Sequence, residues 1–208
     1  MSEFLQIFSL STWLVLAGSY LLGSIPFGLL IGKAYGVDIR EQGSGNIGAT
    51  NLGRALGKRW AVAAFLLDFS KGILPTLAAP YFAQVNTGES LYLGILAGTA
   101  AILGHTFPLY LRFRGGKGVA TAAGAFLALA PLVLLVDLVV WGAVLWWGRK
   151  SSLASLAAAG ALPLLCAAWA PEYLHISLLV LVLLVYRHKN NITRLYAGEE
   201  SEIQGPQG

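Results

Sequence analysis

Apolar residues fill six long runs: Phe4–Ile31, Trp60–Ala83, Leu91–Leu111, Val119–Gly148, Ser151–Ala170 and Tyr173–Tyr186. Polar residues gather in the stretches between them. A helix needs about 20 apolar residues to cross a hydrocarbon core, so the pattern predicts membrane-spanning helices. The fourth run would make a helix about 45 Å long at 1.5 Å per residue, too long for a core of about 30 Å.

Basic residues decide how that run divides, because cytoplasmic loops carry the excess of Lys and Arg. Loop Gly32–Arg59 holds Lys33, Arg40, Arg54, Lys58 and Arg59, and reads as cytoplasmic. Loop Gln84–Ser90 has Glu89 and no basic residue, and reads as external. Arg112, Arg114 and Lys117 are then cytoplasmic. A turn near Ala130-Pro131 puts Arg149 and Lys150 on that side too, followed by an external Pro171-Glu172 turn and a cytoplasmic Arg187-His188-Lys189. The expected fold is an all-α integral membrane protein of about seven transmembrane helices. Its N-terminus is outside, its C-terminus cytoplasmic, and its active-site loops face the cytoplasm. Two short helices flank Pro131. Residues 1–198 form a single multi-pass domain, and 199–208 a polar, mobile tail.

Composition agrees. The chain is 56% hydrophobic and 12% charged, with a mean hydropathy of +0.68, which excludes a soluble domain of this length. A net charge of +4 and a pI near 9.3 look basic. The basic residues sit in loops without the interleaved aromatics of a nucleic-acid surface, so no nucleic-acid partner is expected. Cys166 is alone and forms no intrachain disulfide. The N-terminus lacks a basic region ahead of its long apolar run and reads as a first span, not a cleaved signal.

Three polar clusters carry the candidate chemistry. In the first, Gly43–Arg54, small residues alternate with Ser44, Asn46, Thr50 and Asn51, and Arg54 follows. Hydroxyls and amides can orient a polyol, and a guanidinium can hold a phosphate bidentately. The second, Arg112–Thr121, offers Gly115, Gly116, Lys117, Gly118 and Thr121. Its glycines suit a tight backbone whose N–H groups cradle an oxyanion, and a helix starting at Val119 would aim its dipole there. At Gly116 a methyl would crowd the anion or oppose a positive φ. It is not a Walker A loop. The third leaves the last span: on a continuing helix, His188 and Asn191 share a face. A neutral imidazole can accept a proton or bond a substrate hydroxyl. Each cluster taken singly also reads as turn chemistry, topology signal or an interfacial helix end. Their coincidence on one predicted side points to a shared ligand.

Other polar residues look structural. Asp68 and Lys71 lie three apart inside an apolar run and neutralise each other, although buried membrane charges are functional suspects. His105, before Pro108, supports the second loop. Asp137 has no evident partner, and His175 has no assigned role. No triad order, zinc spacing or His-Glu-x-x-His helix is present, and no metal or cofactor is expected. The His-x-x-x-x-Asp acyltransferase pattern is also missing: the fifth residue after His105, His175 or His188 is Tyr110, Val180 or Thr193. A phosphate transporter would show inverted repeats, which the sequence lacks, and a scaffold would not need Ser/Asn/Gly loops.

Three stretches, Ser44-Gly45-Asn46-Ile47-Gly48-Ala49-Thr50-Asn51, Gly115-Gly116-Lys117-Gly118-Val119-Ala120-Thr121 and His188-x-x-Asn191-Ile192-x-Arg194-Leu195-x-x-Gly198-x-Glu200, resemble the signature motifs of one family. It is the bacterial acyl-phosphate:glycerol-3-phosphate acyltransferases, the PlsY family. Asp68-x-x-Lys71-Gly72 and Gly104-His105-x-x-Pro108 resemble its pattern as well. The resemblance implies transfer of a fatty acyl group from acyl phosphate to the sn-1 hydroxyl of glycerol 3-phosphate, giving lysophosphatidic acid and phosphate. It implies a bacterial inner-membrane location, contact with membrane lipid and transient contact with a soluble acyl-phosphate synthase. Acyl-CoA and acyl carrier protein are not donors in the family, and its second motif binds glycerol 3-phosphate. Carried onto this chain, Ser44, Lys117, His188 and Asn191 are the expected catalytic residues. Asn46, Thr50, Asn51, Arg54, Gly115, Gly116, Gly118 and Thr121 are the expected substrate-binding ones. Whether His188 or a substrate phosphate oxygen takes the proton stays open.

Overall fold

The computed structural model describes residues 9–83 and 87–203, and the described chain is helical with no strand. The start of the first apolar run, residues 84–86 of the Gln84–Ser90 loop expected to be external, and the tail beyond 203 lie outside the described residues. The helices are α1 (Leu10–Ser24), α2 (Phe27–Ala34), α3 (Ala49–Leu56), α4 (Lys58–Ala83), α5 (Thr87–Thr106), α6 (Val119–Leu129), α7 (Pro131–Gly148), α8 (Ser151–Trp169), α9 (Leu174–Arg187) and α10 (Lys189–Tyr196). They divide into two compact units, one ending at Leu129 and the other beginning at Ala130.

Four stretches are long and apolar enough to cross a membrane: Lys58–Ala83, Glu89–Leu111, Pro131–Gly148 and Ser151–Trp169. A fifth is the pair α1 and α2, bent by 41°. Sequence alone reads that pair as one run. Pro26 interrupts it, because proline has no N–H to donate and its ring opposes a continuous helix. Helix α6 has 11 residues and α9 has 14, both below the usual spanning length. The expected break falls at Ala130, where φ is −141° and ψ is 70°, and Pro131 opens α7 at a position that suits proline.

In the first unit α1 packs on α5, and α4 packs on both α5 and α6. The α4–α6 crossing is close enough that glycine is required on both sides. A Cβ at Gly72 would lie 2.1 Å from the Thr121 carbonyl oxygen, and one at Gly124 would lie 2.0 Å from that of Phe69. With no hydrophobic drive between helices in lipid, such backbone contact supplies the packing energy. Next to the first polar cluster, Leu29, Ile39, Ile47, Leu52 and Ala64 form an apolar plug that seats the loop before α3. In the second unit α8 packs between α7 and α9.

The described part of the tail is hydrogen-bonded to the helices around it. Gly198 adopts φ +73°, and the Glu199 and Gly198 N–H groups bond the Arg194 and Leu195 carbonyls. This glycine-terminated turn reverses the chain after α10. The Ile203 N–H then reaches the Arg149 carbonyl at 2.7 Å.

Candidate functional site

The first cluster is organised by one side chain. Asn51, on the buried face of α3, accepts the Ser44 N–H on Oδ1 at 3.0 Å. Its Nδ2 reaches the carbonyls of Ile39, Gln42 and Asn46 at 2.7, 3.0 and 2.9 Å. Asn51 is 3% exposed. Its amide bonds the backbone on both ends and so shapes the loop that presents Ser44. Asn46 turns the chain by accepting the Gly48 N–H on Oδ1 at 2.9 Å. Ser44, Thr50 and Arg54 are exposed, and Thr50 and Arg54, four apart on α3, share a face.

The second cluster starts where α5 ends. The Gly115 N–H donates to the Thr106 carbonyl at 3.2 Å and the Gly116 N–H to the His105 carbonyl at 3.0 Å. These two N–H groups therefore anchor the loop rather than line an oxyanion cradle, which corrects the sequence expectation. Nor does Gly116 adopt a positive φ. Within the cluster that conformation falls to Gly118 at +89°, and to Arg112 and Phe113 at +51° and +62°. A methyl at Gly116 would strike a side chain of the protein: its Cβ would lie 2.0 Å from His105 Nε2. Gly115 is equally confined: a Cβ there would lie 2.2 Å from the His105 carbonyl oxygen. Helix α6 starts at Val119 as expected, and Lys117 stands two residues before it. The N–H groups of that first turn have no carbonyl ahead of them in the helix. Thr121 is fully buried and its hydroxyl donates to the Asp68 carbonyl at 3.0 Å, so its side chain ties α6 to α4.

Asp68 and Lys71 do pair, with Lys71 Nζ 2.9 Å from Asp68 Oδ1. Lys71 also donates to the Ile25 carbonyl at 2.9 Å, which at the break before α2 accepts the Phe27 N–H at 3.1 Å as well. His105 joins them, its Nδ1 3.6 Å from the same Asp68 oxygen.

The third cluster belongs to the second unit. His188 interrupts the run from α9 to α10 with φ −96° and ψ 7°, yet its N–H bonds the Leu184 carbonyl and its own carbonyl accepts from Ile192, so the turn between His188 and Asn191 is kept. The ring is 1% exposed, and Nδ1 lies 2.8 Å from the Leu184 carbonyl. A carbonyl only accepts, so Nδ1 carries the proton, and a neutral ring has its lone pair on Nε2. Asn191 donates to Glu200 Oε1 at 2.6 Å, Ser152 donates to the same oxygen at 2.6 Å, and Arg194 donates to Oε2 at 2.7 Å. Burial pushes the Glu200 carboxyl up, but these donors outweigh it and hold the group below the ordinary carboxylate range. Glu200 appears in the motif pattern, but its role as a hub for Asn191, Arg194 and Ser152 is not visible in spacing alone. Asp137, on α7, is buried with one carboxylate oxygen unbonded among the described residues. Among those residues no three His, Cys, Asp or Glu side chains are placed to hold a metal ion.

The chain matches a family described as glycerol-3-phosphate acyltransferase over residues 13–198. It is 47% identical over 193 residues to the glycerol-3-phosphate acyltransferase of Geobacter metallireducens, covering 92% of this chain and 97% of the relative. It is 44% identical over 184 residues to that of Aquifex aeolicus, covering 88% and 94%. Its fold is similar to a crystal structure of PlsY, an integral membrane glycerol 3-phosphate acyltransferase, in the glycerol 3-phosphate form. The TM-score is 0.85 at 40% identity, with 93% of this chain and 96% of that one covered. The lysophosphatidic acid form of the same enzyme gives a TM-score of 0.82 at 40% identity, covering 92% and 95%.

Proposed function

Because the chain belongs to the glycerol-3-phosphate acyltransferase family, we propose that its donor is an acyl phosphate and its acceptor the sn-1 hydroxyl of glycerol 3-phosphate. The hydroxyl oxygen attacks the carbonyl carbon, the bond to the phosphate oxygen breaks, and lysophosphatidic acid and inorganic phosphate leave. An acyl phosphate is already an activated mixed anhydride, so no covalent enzyme intermediate is needed. The work left to the protein is orientation and charge stabilisation.

The observation that carries this reading is the division of labour in the first cluster. Asn51 takes up the backbone, and Ser44, Thr50 and Arg54 remain on the exposed surface. A hydroxyl-bearing anion suits that set. Lys117 and the first turn of α6 supply positive charge for phosphate. His188, with its Nδ1–H fixed on Leu184, is the residue we assign to the acceptor hydroxyl, and Asn191 is oriented by Glu200. We also read the chain as about seven spans in a bacterial inner membrane, with the bent pair α1–α2 as one span, α6 and α9 as short ones, and the three motifs on the cytoplasmic side. A soluble acyl-phosphate synthase would supply the donor.

The test is phosphate release by purified protein given palmitoyl phosphate and glycerol 3-phosphate. Release that requires both, and no transfer from palmitoyl-CoA, supports the reading. Transfer from palmitoyl-CoA at a comparable rate overturns the donor assignment.

A further inference from the structure

We propose that His105, braced by the Asp68–Lys71 ion pair, is a positioning residue that sets the second glycine loop and, through it, Lys117 for acceptor binding. This deepens the reading above and rests on its assignment of that loop to the acceptor phosphate.

Three observations converge on it. First, His105 meets Gly116 twice: its carbonyl accepts the Gly116 N–H at 3.0 Å, and its ring edge fills the space where a Cβ would stand, 2.0 Å from Nε2 and 2.7 Å from Cε1. Only glycine permits that approach. Second, the other edge of the ring faces Asp68 Oδ1, which Lys71 Nζ also contacts, and Lys71 is in turn fixed on the Ile25 carbonyl. All three side chains are at least 94% buried, so the ring has little room to move. Third, the far side of the loop reaches the same place, because the Thr121 hydroxyl donates to the Asp68 carbonyl. Lys117 thus lies on a short segment clamped at Gly116 and at Thr121 by one buried cluster. Asp68 and Lys71 already balance each other's charge, so the imidazole is not required for neutrality. What it adds is a rigid surface against which Gly116 rests.

The test is steady-state kinetics on His105→Ala, His105→Gln, Gly116→Ala and the double variant His105→Ala/Gly116→Ala, with Lys117→Met alongside. KM does not depend on the fraction of enzyme folded, so a selective change in KM is not produced by lost stability alone. The expected result for His105→Ala is a rise of about tenfold in KM for glycerol 3-phosphate, the size of one weakened charged hydrogen bond. KM for acyl phosphate stays within about twofold. His105→Gln, which keeps a polar contact but not the ring, shows a smaller rise in the same direction, and stands in where the alanine variant does not fold. Gly116→Ala alone has the same selective defect. In the double variant the methyl occupies the space the ring vacates, so the defects do not add. Equal rises in both KM values, a change in kcat alone, or additive defects overturn the proposal. If Lys117→Met keeps the wild-type rate and KM, the anion-loop reading itself falls. If Lys117→Met is disabled while the His105 and Gly116 variants keep the wild-type KM, only the positioning role falls.

Discussion

Asn191 donates its side-chain N–H to Glu200 across 2.6 Å, joining the helical part of the third motif to its last residue, beyond the end of α10. The turn at Gly198 makes this possible by sending the chain back. Ser152 and Arg194 complete the set, so one carboxylate ties the start of α8 to α10. Its folded-state pKa lies below the unfolded one. A depressed carboxylate stabilises above the unfolded pKa and loses that contribution as pH falls through the folded pKa. Wild type should therefore exceed Glu200→Gln in stability at about pH 6, with the gap closing as the medium approaches about pH 3. Thermal unfolding in detergent across that range is the check, and a gap independent of pH would sink the idea.

Lys117→Met should lower turnover at least about a hundredfold without unfolding the protein, since a charged hydrogen-bond partner in a shielded site is worth a few kcal/mol. Phosphate release and a melting curve on the same preparation decide it. Near-normal turnover would remove Lys117 from the site.

Asn51 and Ser44 should part company. Asn51→Ala leaves the Ser44 N–H and three carbonyls without their partner, a loss of about 2–3 kcal/mol in stability that takes activity with it. Ser44→Ala alters an exposed hydroxyl, so stability should stay within about 0.5 kcal/mol while activity falls. Denaturation midpoints alongside rates separate the two. Equal destabilisation by both variants would contradict the division of labour in this loop.

The proposed orientation has its own check. With Cys166, the lone cysteine, replaced by serine, cysteines at Glu172 and Arg114 can be probed with a membrane-impermeant thiol reagent on intact cells. Glu172→Cys should label from outside, and Arg114→Cys only after the membrane is opened. The reverse pattern would invert the topology.

Much of this was legible in the chain. The six apolar runs, the break at Ala130-Pro131 and the helix start after Gly118 follow from period, length and proline chemistry. The Asp68–Lys71 pairing follows from helical spacing. What stayed hidden is direction. Composition does not tell which way an asparagine amide turns, so Asn51 reads as a ligand for substrate although the backbone fills it. Gly115 and Gly116 read as an oxyanion cradle, but they are glycines because His105 and the end of α5 leave no volume for a Cβ. Both cases share a cause: a small or polar residue in a motif is selected by its nearest protein atoms as readily as by a ligand. The break before α2 was missed because Pro26 sits inside a run whose composition never changes.

The bond from Lys71 to the Ile25 carbonyl has a bearing on how the protein is made. The carbonyl opposite Pro26 is already synthesised when α4 leaves the ribosome, whereas His105 and Thr121 are still to come. The Ile25 carbonyl accepts the Phe27 N–H and has room for a second donor, and the Lys71 ammonium, paired with Asp68, has protons left to give. Together they satisfy each other. The order of synthesis therefore allows α4 to dock on the bent first segment before α5 and α6 are made. The later helices then close over a polar contact that is already in place.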